Sequence, residues 1–408
     1  MCPLQTNSLK QMPRIALVTG GLVMGGSTTF LINFAGELVR RGIPVEVMSF
    51  ELENPMATDF QRQNVPVLCL DQRRMIFEDR LKIVLQNLAR FRPTVVVSTL
   101  SSVSFEVLRY LPPGIFRIGM GQSDDPNVYK MMRHYAPHMD ALVVVSPEMK
   151  RRAGAIPEFS NIPVHCLPYG VPIPAGGREP KTGRPLQMLY LGRLYREQKR
   201  VHLFPQIHEQ LKVSGIPFHW TIAGDGPEKT ALESALQSAP SQTISFAGKV
   251  SYAQVPDLLR AHDIFLLASD YEGLPLSLLE AMGAGLVPVV SDLPSGIPEV
   301  VDATTGFLVQ VNDVAGYAKA IIHLHQHRDE LAAKSVAARA RVKTEFSVEA
   351  MTDRWLAAFP DPPVSPPVWP QRWKISAPLT AAHPVYFSPP LRAARRLMMK
   401  LRKHRTEA

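Results

Sequence analysis

Short runs of consecutive branched apolar residues alternate with amphipathic, helix-like stretches along the first 300 residues or so of this 408-residue chain. RIALVTG (14–20), PTVVVST (93–99) and ALVVVS (141–146) carry Val, Ile and Leu at neighbouring positions rather than at every second one. Such runs are typical of strands in a parallel sheet, because helices cover both faces of the sheet and bury every side chain. The chain is therefore predicted to be an α/β protein.

One interruption of this alternation indicates two domains. The segment PYGVPIPAGGREPKTGRP (168–185) is dense in Pro and Gly, and a second series of strand-like runs begins at QMLYLGR (187–193). We predict two doubly wound, Rossmann-like domains that face a central cleft, where ligands bind at the carboxyl ends of the strands. The predicted boundaries are 1–172 for the N-terminal, acceptor-side domain, 173–186 for a linker, 187–350 for a nucleotide-sugar-binding domain, and 351–408 for a helix, a Pro-rich segment and a basic amphipathic tail.

Most of the net charge of +9 lies at the C-terminal end. Residues 361–408 carry +7, which leaves +2 for residues 1–360, and no nucleic-acid partner is expected for this nearly neutral body. Ten prolines between positions 360 and 390 predict an extended, exposed connection, and residues 391–405 predict a basic amphipathic helix. Three alternatives remain for this tail: a solvated end, a helix on an anionic membrane surface, or a contact for another polyanion.

The sequence also bears on location. No run reaches the roughly 18 apolar residues that a membrane span needs. The first residues lack the apolar core of a secretory signal, and the three cysteines are scattered without metal-binding spacing. We predict a cytoplasmic protein, with the inner face of the cell membrane as its location if the tail binds lipid.

The most specific segment is YEGLPLSLLEAMGAGLVPVVSDLPSGIPEVV (271–301). It follows the strand-like run DIFLLAS (263–269), so its turn lies at the carboxyl end of a strand and offers free backbone N–H groups to an anion. Glu272 and Glu280 flank this turn with seven residues between them. Carboxylates beside a phosphate-binding turn need hydroxyl donors, and sugars supply these in pairs.

This Glu-x7-Glu segment resembles the signature of the retaining glycosyltransferases of family 4 (group 1), which have the two-domain GT-B fold. LGRLYREQKR (191–200) matches a second motif through Gly192, Arg193 and Lys199, and AGDGP (223–227) matches a third. The turn TGGLVMGGSTTF (19–30) matches more weakly. The resemblance extends over about residues 14 to 350.

The resemblance implies that Arg193 and Lys199 hold the diphosphate of a nucleotide-sugar donor and, with Glu272, form the catalytic set. A chemical reason supports the two cations, because negative charge grows on the leaving phosphate when the glycosidic bond breaks. The other implied donor contacts are Glu272 for hydroxyls of the transferred sugar, Glu280 for the ribose, Gly273, Leu274, Pro275 and Leu276 for phosphate and sugar, Gly25 and Gly26 for the diphosphate, and Lys249 and Val250 for the base.

The acceptor side departs from the family. Many members place a His after the strand that corresponds to FRIGM (116–120), whereas this chain continues GQSDDPNVY (121–129). Our hypothesis is that Gln122, Asp124 and Asp125 contact the acceptor; the alternative is that the two aspartates are turn residues before a proline. In retaining transfer of this type the leaving phosphate takes the acceptor's proton, so we assign no side-chain base.

The sequence thus predicts a retaining glycosyltransferase that moves a sugar from a nucleotide diphosphate to a hydroxyl of a glycan or a lipid-linked glycan. No cofactor and no metal are expected, because the chain lacks an Asp-x-Asp motif and the three histidines of HLHQHRDE (323–330) do not share one helix face. Two alternatives remain. One is a nucleotide-sugar enzyme of another reaction type, an epimerase or a phosphorylase, and the other is a non-catalytic binding protein that uses the basic tail.

Overall fold

A computed structural model describes residues 12–50, 54–70, 77–176, 183–237, 243–363 and 365–375. The strands in these residues are β1 (Ile15–Thr19), β2 (Val45–Ser49), β3 (Val67–Cys69), β4 (Val95–Thr99), β5 (Phe116–Gly121), β6 (Ala141–Val144), β7 (Val164–Cys166), β8 (Leu186–Leu191), β9 (Phe218–Ala223), β10 (Ile244–Gly248), β11 (Ile264–Leu267), β12 (Val287–Asp292) and β13 (Phe307–Gln310).

The α-helices of the same residues are α1 (Gly26–Arg40), α2 (Ala57–Gln61), α3 (Phe77–Phe91), α4 (Ser102–Glu106), α5 (Pro126–Tyr135), α6 (Pro147–Gly154), α7 (Arg196–Lys199), α8 (Phe204–Val213), α9 (Lys229–Gln237), α10 (Val255–Arg260), α11 (Leu276–Gly283), α12 (Ile297–Val300), α13 (Val314–Gln326), α14 (Arg328–Glu345) and α15 (Val348–Ala358). None of these helices is long and apolar enough to cross a lipid bilayer.

Two parallel sheets organise the described chain. The N-terminal domain contains seven strands in the order β3-β2-β1-β4-β5-β6-β7, and the C-terminal domain contains six in the order β10-β9-β8-β11-β12-β13. The strand order reverses next to β1 in the first sheet and next to β8 in the second, which makes a crevice at the carboxyl edge of each sheet. The prediction of two doubly wound domains is confirmed.

The burial pattern explains why consecutive apolar residues form strands here. Every residue of β1 and of β4 is buried, as a strand covered on both faces requires. Helix α3 instead buries Leu81, Val84, Leu85 and Leu88, which recur at helical spacing, and leaves its other side polar.

The end of the described chain returns to the N-terminal domain. Val171, just after the first sheet, exchanges backbone hydrogen bonds with Phe346 and Val348, and α15 then packs along α1. Trp355 of α15 lies with its ring centroid 5.0 Å from that of Phe34. This helix therefore ties the second half of the chain to the first.

The Pro-rich segment that follows is only partly as expected. Residues 360–363 and 365–375 contain no helix, but Trp369, Trp373 and Ile375 pack against the hydrophobic core instead of lying fully exposed. The proposed basic helix at 391–405 lies outside the described residues.

Candidate active site

The loops after β8 and β9 are packed against each other through glycine. A Cβ atom on Gly224, whose φ is +147°, would overlap the carbonyl oxygen of Gly192, and one on Gly226 would overlap that of Leu194. The Tyr190 hydroxyl donates to the carbonyl oxygen of Arg193 over 2.6 Å. These contacts explain the spacing of AGDGP and fix the backbone of the loop that carries Arg193.

Arg193 itself is exposed at the edge of the sheet. Its guanidinium donates to Gln198 Oε1 over 2.9 Å and lies 5.3 Å above the Tyr195 ring. Gln198 in turn donates to the carbonyl oxygen of Tyr271 over 3.4 Å. This chain of contacts links the LGRLYREQKR motif to the segment 271–301.

Lys199 and Glu272 form a buried ion pair between the two motifs. The Lys199 ammonium donates to Glu272 Oε1, and the Ser269 hydroxyl donates to the same oxygen over 2.6 Å. The two side chains are only 11% and 7% exposed. They are 73 residues apart in sequence and meet because β8 and β11 are neighbours in the sheet.

The turn formed by Gly273, Leu274, Pro275 and Leu276 is buried and faces the other domain. A Cβ atom on Gly273 would lie 3.0 Å from the carbonyl oxygen of Gln122, and one on Gly26 would lie 3.4 Å from Leu276 Cβ. Gly25 is the N-cap residue of α1, and its carbonyl oxygen accepts from the N–H groups of Thr28 and Thr29. The predicted donor residues of the two domains therefore meet across the cleft.

Glu280, on α11, has the most perturbed carboxyl group of the predicted site. Burial raises its pKa to about 8 although the side chain keeps some exposure. Among the described residues its carboxylate has no hydrogen-bond or ion-pair partner. An uncompensated carboxylate in this position suits a ligand that donates hydroxyl groups.

Lys249 and Val250 follow β10 at the same edge of the C-terminal sheet. The Lys249 ammonium lies 3.2 Å from Asp225 of the AGDGP loop, and both side chains are substantially exposed. Val250 packs at the border of the core. The structure places both residues beside the loops described above.

The three acceptor candidates have partners within the protein. Gln122 donates to Thr99 Oγ1 over 2.8 Å and accepts from the Tyr169 hydroxyl over 3.2 Å. Asp124 is buried, accepts from the Tyr129 hydroxyl over 2.7 Å and lies 3.3 Å from the Arg152 guanidinium.

Asp125 caps α5 by accepting from the backbone N–H of Asn127 over 2.7 Å. Both aspartates therefore stabilise the turn that carries them, and their contact with an acceptor stays a prediction.

Sequence reasoning missed Leu100, which follows β4 beside Gln122's partner Thr99. Leu100 has a φ of +73°, its side chain is 40% exposed, and the N–H of Ser101 donates across it to the carbonyl oxygen of Thr99 over 3.0 Å. This is a strained γ-turn, and leucine rarely occupies it. Val23 and Met24, in the loop after the adjacent strand β1, are also exposed apolar residues. Neither feature has a sequence signal.

Replacing Leu100 by glycine is expected to stabilise the protein by about 1 kcal/mol, because glycine adopts a positive φ without the steric cost of a Cβ atom. Urea denaturation measures the change. The matched control is Leu308→Gly, which removes an equally exposed leucine from the extended backbone of β13 and should destabilise the protein. Equal destabilisation by both substitutions would contradict the assignment of backbone strain to Leu100.

The described residues contain no group of three or more His, Cys, Asp or Glu side chains placed to hold a metal ion. The candidate site instead combines two cations, Arg193 and Lys199, with the carboxyl groups of Glu272 and Glu280 and the glycine-containing turn at 273–276.

The segment that carries these residues is similar to known glycosyltransferases. Residues 185–327, which include Arg193, Lys199, Glu272 and Glu280, match the family model described as glycosyl transferases group 1. WcaL of Salmonella typhimurium, named as a colanic acid biosynthesis glycosyltransferase, is 35% identical over 186 residues, which are 43% of this chain and 45% of WcaL.

The amylovoran biosynthesis glycosyltransferase AmsK of Erwinia amylovora is 34% identical over 172 residues, which are 40% of this chain and 42% of AmsK. The chain thus spans somewhat under half the length of these curated relatives.

The fold is shared over a much greater length. A crystal structure of a Staphylococcus aureus TarM variant in complex with fondaparinux, α-GlcNAc-glycerol and UDP superposes with a TM-score of 0.70, covering 85% of this chain and 99% of that chain at 12% identity. The protein therefore has the GT-B fold, as the resemblance implied, with two Rossmann-like domains that face one cleft.

Proposed function

We propose that the protein is a glycosyltransferase that moves a sugar from a nucleotide-diphosphate-sugar donor to a hydroxyl acceptor, with retention of configuration. The observation that carries this proposal is the buried pair of Lys199 and Glu272, connected through Gln198 and Tyr271 to Arg193. All of these residues lie in the segment that matches the group 1 family model.

Lys199 and Arg193 stabilise the leaving diphosphate. Negative charge accumulates on the phosphate oxygens as the glycosidic bond breaks, and cations that are already in place lower the barrier. Arg193 can bind two phosphate oxygens at once, whereas Lys199 acts as a point charge. The ion pair with Glu272 holds Lys199 in position before the donor arrives.

Glu272 and Glu280 bind hydroxyl groups of the donor. Glu272 Oε1 accepts from both Lys199 and Ser269, so among the described residues its Oε2 atom stays available to a hydroxyl of the transferred sugar. Glu280 accepts from the ribose hydroxyls, which would relieve the cost of its buried charge. Lys249 and Val250 contact the base, while Gly25, Gly26 and the turn at 273–276 line the diphosphate.

No metal or other cofactor takes part in the proposed reaction. The fixed cations balance the charge of the diphosphate, and the leaving phosphate accepts the proton of the acceptor hydroxyl. Asp124 and Asp125 are held by Tyr129, Arg152 and a backbone N–H. These contacts support a role for the two aspartates in orienting the loop of Gln122 and the acceptor. They do not favour an epimerase, which would need side chains that act as acid and base.

The acceptor is a glycan or a lipid-linked glycan that meets the N-terminal domain. Exposed Val23, Met24 and Leu100 lie at the carboxyl ends of the neighbouring strands β1 and β4, in the domain opposite the donor residues of the C-terminal domain. Apolar side chains exposed beside a polar cleft suit a ligand with apolar parts. This acceptor would place the enzyme in glycan biosynthesis in the cytoplasm, at the inner face of the membrane if residues 391–405 bind anionic lipid.

Thermal unfolding with UDP, GDP, ADP, CMP and NAD tests the donor site in the wild type and in Arg193→Ala. A ligand that binds only the folded state at about a hundred times its Kd adds roughly 2.7 kcal/mol of stability. We expect one nucleoside diphosphate to stabilise the wild type strongly and the variant much less. Stabilisation by NAD alone, or equal stabilisation of both proteins, would overturn the donor site.

A further inference from the structure

A tyrosine outside the matched motifs connects the two domains. Tyr252 lies in the loop between β10 and α10 of the C-terminal domain, and its hydroxyl donates to Asn33 Oδ1 on α1 of the N-terminal domain over 2.7 Å. Asn33 Nδ2 donates to the carbonyl oxygen of Gly170 over 3.1 Å.

Contacts within the N-terminal domain hold Asn33 in the orientation that Tyr252 needs. Asn33 is only 3% exposed, and its bond to Gly170 fixes which side-chain atom faces Tyr252. Gly36 lies one helical turn further along α1, where any Cβ atom would overlap Gln63 Oε1. Glycine at this position therefore lets the side chain of Gln63 lie against α1, one helical turn from Asn33.

Tyr252 also adjoins the residues that we assign to the donor. It follows Val250 by two positions, and the charge of Glu280 acts on its hydroxyl. Burial and Glu280 raise the pKa of Tyr252 to about 12, so the hydroxyl stays protonated and donates at physiological pH. The contact between the domains thus lies beside the carboxylate proposed to bind the ribose.

We propose that Tyr252 and Asn33 form a latch that holds the cleft closed around the donor. Opening the cleft would leave the buried Asn33 without its partner, whereas closure brings Gly26 next to Leu276 and the turn at 273–276. The two residues are positioning residues, since they act through the arrangement of the domains. The identity of the adjoining ligand as a nucleotide-sugar rests on the proposed function, but the latch itself does not.

Pulsed electron paramagnetic resonance on the ligand-free full chain tests the latch without any assumption about activity. Spin labels at Lys130→Cys on α5 and Lys319→Cys on α13, both exposed positions, report the distance between the domains in a background that lacks the three native cysteines. In Tyr252→Phe the ratio of closed to open molecules should fall about fivefold, as expected for the loss of one hydrogen bond. An unchanged distance distribution would overturn the latch.

Two further variants separate the latch from a local effect on the loop. Ser251→Ala breaks the capping box between Ser251 and Gln254 in the same loop but no described contact with α1, so its distance distribution should match the wild type. In an Asn33→Ala background, Tyr252→Phe should have little additional effect, because the two groups act through one bond. Additive effects, or opening by Ser251→Ala alone, would overturn the assignment.

Binding of UDP and GDP then tests the coupling to the donor site. The affinity of the nucleotide that stabilises the wild type should fall in Tyr252→Phe by the same factor as the measured closed population, which is at most about fivefold, and remain unchanged in Ser251→Ala. Unchanged affinity in an opened Tyr252→Phe protein would overturn the coupling. If no nucleoside diphosphate bound the wild type, the proposed function would fail, while the distance measurement would still decide whether the latch exists.

Discussion

Lys199→Met is expected to lower the rate of sugar transfer by about 10²- to 10³-fold and the free energy of unfolding by about 3 kcal/mol or more. The rate falls because a fixed cation is lost from the leaving diphosphate. Stability falls because Glu272, whose side chain is 7% exposed, is left with a buried charge and only Ser269 as a described hydrogen-bond donor. Steady-state kinetics with the donor identified by thermal unfolding, together with urea denaturation, measure the two effects.

A double variant separates these two consequences. Lys199→Met combined with Glu272→Gln removes both charges, so most of the lost stability should return while transfer stays low. The matched control is Lys212→Met, which breaks an ion pair with Glu209 one helical turn away on the surface of α8 and should cost less than about 1 kcal/mol. Recovery of turnover in the double variant, or equal destabilisation by the two single lysine substitutions, would contradict the role of the pair.

The fold and the clustering of Arg193, Lys199 and Glu272 could be predicted because their signals are local. Consecutive Val and Ile residues identify strands buried on both faces. The turns after β8 and β11 carry short motifs, and the charged residue types in these motifs indicate their chemistry. Arg193, Lys199 and Glu272 then meet without further information, because the carboxyl ends of neighbouring parallel strands lie at one edge.

The parts that sequence reasoning missed depend on contacts between distant positions. Tyr252 and Asn33 are 219 residues apart and belong to different domains, so no local pattern relates them. Leu100 violates the backbone preference of leucine, and that strain depends on how β4 joins α4. The partial burial of Trp369 and Trp373 likewise depends on contacts with the hydrophobic core, which proline content alone does not determine.

Glu280→Gln should stabilise the protein increasingly as the pH rises. In the wild type the pKa of Glu280 is raised from its ordinary value of 4.5 to about 8, so between these pH values the folded protein holds a proton that the unfolded chain has released. The free energy of unfolding that this group contributes therefore falls as the pH rises through that window and is lowest above it. Glutamine cannot ionise, so the melting temperatures of variant and wild type should agree near pH 4.5 and diverge up to about pH 8.

The same substitution should weaken donor binding, which distinguishes a binding carboxylate from one that is merely poorly solvated. An ionised carboxylate accepts two ribose hydroxyls, whereas the glutamine side chain has one acceptor oxygen, so we expect roughly tenfold lower affinity for the stabilising nucleotide at pH 8.5. Glu330→Gln is the control with the opposite sign, because His323 and Lys334 lower the pKa of Glu330 and its charge stabilises the fold at neutral pH. If Glu280→Gln gained stability at high pH but bound the nucleotide as well as the wild type, Glu280 would not contact the ribose. If its melting temperature ran parallel to that of the wild type at every pH, the carboxyl group would not be held in its uncharged form by burial.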